Sequence, residues 1–183
     1  MATPCSDDTA GYHHPYNFIL VIAKDVVNIK RQITLAKQAE NTMLEQMKTL
    51  AKEKSLCVLA TIAGAKPYCS LMAYAADEAC QEIYMVTHRK TQKYQNLLEN
   101  PAVSMLIDTR EKTPRTRTQA LTIEGTFQRI ENEAKKDRVR KTFLKIHPHL
   151  KEFIEHPDAE LICIKIKSFL LLNGLTHAHY EQL

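Results

Sequence analysis

The sequence contains no tryptophan and only four glycines among its 183 residues. So few glycines leave little room for a phosphate-binding loop, a dinucleotide fingerprint or a nucleophile elbow, and none of these motifs occurs. The five cysteines are odd in number and form no C-x-x-C pair, which argues against a disulfide framework. Three of them lie in apolar, strand-like surroundings and are expected to be buried free thiols. Free thiols are typical of proteins in a reducing compartment, so we expect a cytoplasmic location.

Long hydrophobic runs and a strong charge bias are also missing. The apolar run at 18–23 is too short to cross a bilayer, and the histidine-rich leader before it does not resemble a signal peptide. Net charge is only +4, with acids and bases interspersed. The basic stretch at 135–141 lacks an aromatic platform and is typical of the solvated face of a helix. We therefore expect a cytoplasmic protein with no membrane or nucleic-acid partner.

Helices and six strand-length segments can be predicted. Residues 1–16 are polar and expected to be poorly ordered, whereas about Ile29 to Lys54 predicts one long helix. Asn132 is expected to cap a second helix that runs to about Ile146, followed by a short helix near Phe153. The predicted strands, mostly antiparallel and closing into a small barrel, are 55–62, 68–75, 81–87, 102–108, 119–130 and 160–172.

The segment "YMVTHRKTQKYQNLLENP", residues 84–101, joins a strand to a helix through a basic, glycine-free turn. The start of the helix, near Thr91, offers unpaired N–H groups and a hydroxyl to an anion. Lys93 adds a point charge and Arg89 a bidentate fork. This pattern suits a phosphate, although a solvated basic turn in which Thr91 merely caps the helix has the same composition.

Three segments in order, "LATIAGAKPYCSLMAY", "IYMVTHRKTQKYQNLLENPAVSMLID" and "ALTIEGT", are similar to the FMN-binding split-barrel proteins related to pyridoxamine 5'-phosphate oxidase. The resemblance covers about residues 50–174. It implies a mainly β fold, a six-stranded antiparallel Greek-key split barrel at 39–183. Residues 1–38 would form an N-terminal extension, partly disordered and then helical. It also implies a homodimer with FMN at the subunit interface and a small-molecule substrate or electron donor.

The resemblance also implies which residues contact the cofactor. In the family, a threonine at the end of the third strand and a Ser/Thr-x-Lys at the helix start contact the flavin's phosphate and ribityl chain. Second-strand residues run alongside the ring, and part of the fifth strand reaches the flavin from the other subunit. The expected FMN contacts in this sequence are Ser70, Leu71, Met72, Thr87, His88, Arg89, Thr91, Lys93, Gln119, Leu121 and Thr122.

Departures from the oxidase pattern bear on the reaction. Ser70 and Ala75 stand where the oxidases carry an arginine and a lysine, and Gln92 replaces the middle residue of their Ser-Arg-Lys run. Gln119 lies six residues before Gly125 rather than five, and the C-terminal substrate motif has no counterpart. We therefore predict an FMN-dependent oxidoreductase of unknown substrate that is not a true pyridoxamine phosphate oxidase. A flavin carrier or sensor is the alternative.

Eight histidines suggest a further alternative, haem or metal binding. Neither H-x-H pair lies beside carboxylates or cysteines at a recognised zinc spacing, so no metal site is predicted. His177 and His179 are candidate haem ligands, because haem-degrading split-barrel relatives also use C-terminal residues and a neutral imidazole suits an axial position. An exposed tail or a dimer contact would carry the same residues.

Overall fold

The computed structural model describes residues 16–109, 118–174 and 176–183, with side chains from residue 28 onward. The chain divides into two compact units, Met1–Thr42 and Met43–Leu183. The helices are α1 (Tyr16–Glu53), α2 (Gln92–Glu99), α3 (Glu133–Ile146) and α4 (Lys151–Glu155), with a 3-10 turn at Pro148–Leu150. The strands are β1 (Leu56–Ala63), β2 (Lys66–Ala76), β3 (Glu82–His88), β4 (Ala102–Asp108), β5 (Gln119–Gln128), β6 (Ala159–Asn173) and β7 (His177–Gln182).

The second unit is built on a closed antiparallel barrel. Its strands are ordered β3-β2-β1-β4-β5-β6, and β6 pairs back with β3 to close it. The predicted six-stranded Greek-key split barrel is therefore confirmed. A seventh strand, β7, was not predicted. It pairs with the end of β6 that lies beyond β3, where backbone hydrogen bonding rather than an apolar pattern holds it.

The barrel interior is filled by alternate residues of its strands together with the end of α1. Met47, Leu50 and Ala51 of that helix are buried in this core, and their spacing of three to four residues places them on one face of the helix. From the strands the largest fully buried members are Tyr74, Phe169, Leu59, Ile83, Met85, Met105, Ile107, Leu121 and Ile123.

One glycine is required by close backbone approach. The register between β5 and β6 shifts at Glu124 and Gly125, where the strand bulges. A Cβ atom on Gly125 would lie 2.5 Å from Ile164 Cγ2 and 2.8 Å from the Lys165 carbonyl oxygen. Only glycine therefore fits this crossing.

Helix α3 covers part of the barrel's outer surface. Asn132 Oδ1 accepts a hydrogen bond from the Lys135 N–H at 2.9 Å, so the predicted cap is confirmed. Val139 and Phe143, one turn apart on this helix, are buried. They pack in a second cluster against strand residues whose side chains point outward, namely Ala75, Tyr84, Val86, Leu161 and Cys163.

Several boundaries differ from the prediction. Helix α1 begins at Tyr16 rather than near Ile29, because the helical spacing of apolar residues extends back through the apolar run at 18–23. Strand ends shift by one or two residues, as expected where hydrogen bonding rather than side-chain pattern fixes them. The expectations for residues 1–15 and for most of the charged loop at 109–118 fall outside the described residues. None of the helices, as far as they are described, is long and apolar enough to span a membrane.

Candidate functional site

Strands β2 and β3 pair only near the hairpin that joins them. The pairs are Ala76 with Ile83, Ala75 with Tyr84 and Tyr74 with Met85, after which the strands separate. All of β3 pairs with β6 along its other edge, whereas the earlier part of β2 pairs only with β1 among the described residues. An opening therefore lies between the edge of β2 at 66–73 and the end of β3.

The main chain of Leu71 points toward this opening. The N–H of Tyr74 donates to the Ser55 carbonyl on the β1 side. The main-chain N–H and C=O groups of every second residue of β2, counted from Tyr74, therefore point toward β1. Residues between them point the other way, as Ala75 does when it pairs with Tyr84 of β3. Leu71 shares that direction but has no β3 residue opposite it. Its N–H and C=O groups can therefore bond a ligand that lies along the strand.

The helix after β3 presents hydrogen-bonding groups at the far side of this region. The Thr91 hydroxyl donates to the His88 carbonyl at 2.8 Å and lies 3.0 Å from the Thr87 hydroxyl, which is buried. Thr91 is the N-cap residue, but its side chain makes no cap hydrogen bond. Within the described residues no carbonyl accepts from the main-chain N–H of Gln92 or Lys93. These N–H groups and the helix dipole favour an anion.

Lys93 is the cation of this turn that has no carboxylate partner within the described part of the chain. Its side chain is half-buried. In contrast, Arg89 Nε donates to Glu160 Oε2 at 2.7 Å, and Lys90 Nζ lies 3.4 Å from Asp158 Oδ2. The hydrogen bond to Glu160 raises the pKa of Arg89. The turn therefore leaves one ammonium group available to a phosphate.

Strand alternation turns His88 away from Thr87. Thr87 lies on the inner side of β3 with Met85, whereas the His88 ring stacks between Phe153 and His156, with centroids 4.4 and 4.7 Å away. The His88 Nε2 atom is buried and has no hydrogen-bond partner among the described residues. The structure thus separates His88 and Arg89 from the group of Thr87, Thr91 and Lys93. Contacts of His88 and Arg89 with a cofactor stay predictions.

A partly buried chain of polar side chains, which the sequence did not predict, attaches α2 to the barrel. Gln92 Nε2 donates to Asn96 Oδ1 at 2.7 Å, and Asn96 Nδ2 donates to Thr61 Oγ1 at 3.0 Å. Asn96 and Thr61 are almost fully buried. The four-residue spacing of Gln92 and Asn96 was the available signal, because it places both on one helix face. This chain fixes where the first turn of α2 lies.

The predicted fifth-strand residues lie elsewhere in the same chain. The Gln119 carbonyl accepts from Thr109, and the Leu121 side chain is fully buried in the core. Gln119 of β5 pairs with Asn173 of β6, and Thr87 of β3 pairs with Glu160 of the same strand β6. These two β6 positions are roughly 40 Å apart along an extended strand. One chain therefore does not bring 119–122 to the opening beside Thr87.

The outer face of β1, β2, β4 and β5 is apolar and bare. Leu71, Val58, Leu106 and Thr122 are successive cross-strand neighbours, and the row continues to β6 and β7. Leu71 is 74% exposed and Leu106 is 40% exposed. A cavity of about 430 Å³ opens there, with an apolar floor and a polar rim that includes Lys54. We call this surface the bare face, comprising Leu56, Val58, Cys69, Leu71, Leu106, Thr122, Leu172 and Tyr180.

The C-terminal strand carries the two candidate haem ligands. His177 and His179 are two residues apart on β7, so both lie on one face of the strand, and both are exposed. His177 Nδ1 lies 3.0 Å from the Thr176 hydroxyl. The described residues contain no group of three or more histidine, cysteine, aspartate or glutamate side chains that could hold a metal ion.

Comparison with known proteins identifies relatives at the level of family and fold. The family model for pyridoxamine 5'-phosphate oxidase matches residues 43–173. No curated protein matches. Among solved structures, a putative pyridoxamine 5'-phosphate oxidase from Listeria innocua superposes with a TM-score of 0.57 at 21% identity. That match covers 74% of this chain and 99% of the other.

Two further solved structures share the fold. A heme binding protein from Mycobacterium smegmatis has a TM-score of 0.67 at 18% identity, and the match covers 75% of this chain but only 57% of that one. This chain thus spans little more than half of that protein. A FAD-binding protein from Mesorhizobium loti has a TM-score of 0.58 at 14% identity, with coverage of 69% and 91%.

Proposed function

The chain belongs to the pyridoxamine 5'-phosphate oxidase family, and we propose that it is an FMN-dependent oxidoreductase with its flavin in the opening between β2 and β3. The observation that carries this proposal is that hydrogen-bonding groups without a partner among the described residues lie on both sides of one opening. On one side lies the free main-chain edge of β2 at Leu71. On the other lie the first N–H groups of α2 and the ammonium of Lys93, which has no carboxylate partner among the described residues.

Each group has a distinct task in this proposal. Lys93 and the N–H groups of α2 would hold the phosphate, and the Thr87 and Thr91 hydroxyls would contact phosphate or ribityl oxygens. The main chain of Leu71 would bond the polar edge of the ring. The bound flavin would supply hydride or electron transfer, while the protein supplies orientation. Ser70 and Ala75 lack the charges that the true oxidases use, so the substrate differs.

We propose further that the functional unit is a homodimer joined through the bare face. Large exposed apolar patches mark association surfaces, and a two-fold axis through this face is self-complementary. Leu71 on β2 and Thr122 on β5 lie on opposite sides of the pair Val58 and Leu106. A two-fold axis that passes between Val58 and Leu106 would place one copy's Leu71 against the partner copy's 119–122 stretch. This explains why a cofactor contact was predicted on a strand that lies apart from the opening within one chain. The predicted contacts of Gln119, Leu121 and Thr122 depend on this pairing.

The buried thiols support a reducing compartment. Cys57, Cys80 and Cys163 are free and buried, whereas Cys69 is exposed on the bare face. Burial raises the pKa of Cys57 and Cys163 to about 12 each, so these thiols resist oxidation by staying protonated. This supports a cytoplasmic protein that needs no disulfide for its fold.

The proposal is tested by the absorbance spectrum of the purified protein after FMN is added and excess is removed. Retained flavin bands are expected. Bleaching by NADH or NADPH, followed by recovery in air, would support an oxidoreductase. Retained flavin that neither donor reduces would support the carrier or sensor alternative instead. Loss of all flavin on washing would contradict both.

Haem binding is the second candidate, and the exposed His177 and His179 on one face of β7 favour it. The fold likeness to a heme binding protein points the same way. A Soret band that appears on haem addition and shifts or disappears in a His177→Ala, His179→Ala double variant would support this candidate. The same spectrum in both proteins would remove these histidines as ligands.

A further inference from the structure

Helix α1 carries one long stripe of apolar residues at alternating spacings of three and four. Nine of the ten positions in this stripe are apolar, and the exception is Glu40. A spacing that alternates in this way over more than four heptads is typical of a coiled-coil seam. We call this set the heptad stripe: Ile19, Ile22, Val26, Ile29, Ile33, Ala36, Glu40, Met43, Met47 and Leu50.

The last part of the heptad stripe already has a partner. Met47 and Leu50 are buried in the barrel core, and Met43 packs against it. The same stripe in the first unit has no such cover, since every described side chain from residue 28 to 42 is exposed. Ile29 is 55% exposed and Ile33 is 51% exposed. Exposed apolar side chains such as Ile29 and Ile33 cost free energy in a lone helix.

We infer that the first part of α1 pairs with the same helix of a second copy, in parallel and in register. In the heptad register of this pair, Ile33 lies at an a position, and Ile29 and Ala36 lie at d positions. Glu40 at an a position would oppose two carboxylates in such a pair. Glu40 therefore marks the boundary between the residues of the stripe that would contact the second helix and those that pack in the barrel core.

Charge at the flanking positions selects the parallel orientation. Lys30 and Lys37 occupy e positions, whereas Gln32 and Ala39 occupy g positions. An antiparallel pair brings e against e, so lysines would face lysines. A parallel pair brings g against e, so Lys37 meets Gln32 of the other copy and no like charges meet. The number of helices, two, rests on the barrel dimer proposed above.

Site-directed cross-linking tests this pairing in the full-length chain. The background carries Cys5→Ser and Cys69→Ser, which leaves the buried thiols in place. Ala36→Cys puts a thiol on the seam, and Gln38→Cys puts one at the f position on the opposite side of the helix. After mild copper–phenanthroline oxidation, we expect the mass on a non-reducing gel to double for Ala36→Cys only, and reductant to reverse it.

The outcomes separate this inference from the barrel dimer. Light scattering on the same samples reports the assembly's mass independently of the cross-link. A dimeric mass without a cross-link at Ala36→Cys, or with equal cross-linking at Gln38→Cys, overturns the helix pairing and leaves the barrel dimer standing. A cross-link that persists when Leu106→Arg disrupts the bare face shows that the helices pair by themselves.

Discussion

Lys93 differs from its neighbours in the turn because no carboxylate within the described chain neutralises it, while Arg89 and Lys90 each have one. The sequence predicted a phosphate-binding turn in which both Arg89 and Lys93 contact the anion, and it gave no sign that a carboxylate neutralises Arg89. Their partners, Glu160 and Asp158, lie some seventy residues later in the chain and meet the turn only when β3 pairs with β6. Long-range pairing of this kind leaves no local signal.

Replacing Lys93 should weaken FMN without unfolding the protein. Lys93→Ala removes a charge-assisted bond to the phosphate and should cost about 1–3 kcal/mol of FMN binding. Lys90→Ala is the matched control, because its ammonium is held by Asp158, and should leave affinity nearly unchanged. Fluorescence quenching of FMN measures both. Equal affinity in wild type and Lys93→Ala would remove this residue from the site.

The predicted residues divide according to how local their signals are. Thr87 and Thr91 could be predicted because a strand end and a helix cap are sequence features, and the structure places their hydroxyls 3.0 Å apart. The orientation of His88 toward Phe153 depends on α4, which is separated from it by more than sixty residues. Whether any of these residues contacts FMN stays a prediction until binding is measured.

At the scale of elements, one ion pair links α3 to β3. Glu82 Oε1 accepts from Lys135 Nζ at 2.8 Å, and Glu82 Oε2 accepts from the Tyr84 hydroxyl at 2.8 Å. Burial by itself would raise the pKa of Glu82, but these hydrogen bonds outweigh it and lower the pKa. The ionised carboxylate is therefore the form that stabilises the folded protein.

This lowered pKa fixes the sign of a pH dependence. A carboxylate with a lowered folded pKa stabilises the protein above its unfolded pKa and loses that contribution as the pH falls through the folded pKa. Glu82→Gln should reduce the free energy of unfolding at pH 7 by about 1 kcal/mol. The difference from wild type should shrink below about pH 4, where wild type loses the same contribution.

Urea denaturation at several pH values measures this difference. Glu133→Gln serves as the control, because its pair with Lys136 is on the same helix but exposed. That control should lie within about 0.5 kcal/mol of wild type at every pH. A constant Glu82→Gln difference from pH 7 to pH 3 would contradict the proposed role of the carboxylate.

Elements with an apolar period were the predictable ones. The six barrel strands and α3 bury alternate or helically spaced side chains, so their patterns appear in the sequence. Strand β7 buries little and exists because the end of β6 offers unpaired backbone groups. A strand added to a sheet edge in this way depends on backbone hydrogen bonds, which leave no pattern of apolar side chains in the sequence.

At the scale of the whole molecule, the two outer surfaces of the barrel are unequal. Alternation along β2 places Leu71 and Ala75 on one face of the strand. Only the fold shows that α3 covers Ala75, whereas Leu71 lies bare. The bare face is what leads us to propose a second copy.

Charging the bare face should separate the subunits. Leu106 lies near its centre on β4 and is not among the predicted FMN contacts, so Leu106→Arg should open the barrel interface. The mass measured by light scattering should then halve unless the inferred α1 pair holds the two copies together. FMN binding should weaken too, because the partner's 119–122 stretch is lost. Ile146→Arg, an exposed apolar site outside this face, should leave both unchanged. A Leu106→Arg variant that keeps the wild-type FMN affinity would place the barrel interface elsewhere, whereas a dimeric mass by itself would not, because the α1 pair alone also gives that mass.

The central claim is that the opening between β2 and β3 holds a flavin by its phosphate. Calorimetric titration of the wild-type protein with FMN and then with riboflavin, which lacks the phosphate, tests it most directly. We predict that FMN binds at least about tenfold more tightly than riboflavin. Equal affinity for the two, or binding of neither, would contradict the account.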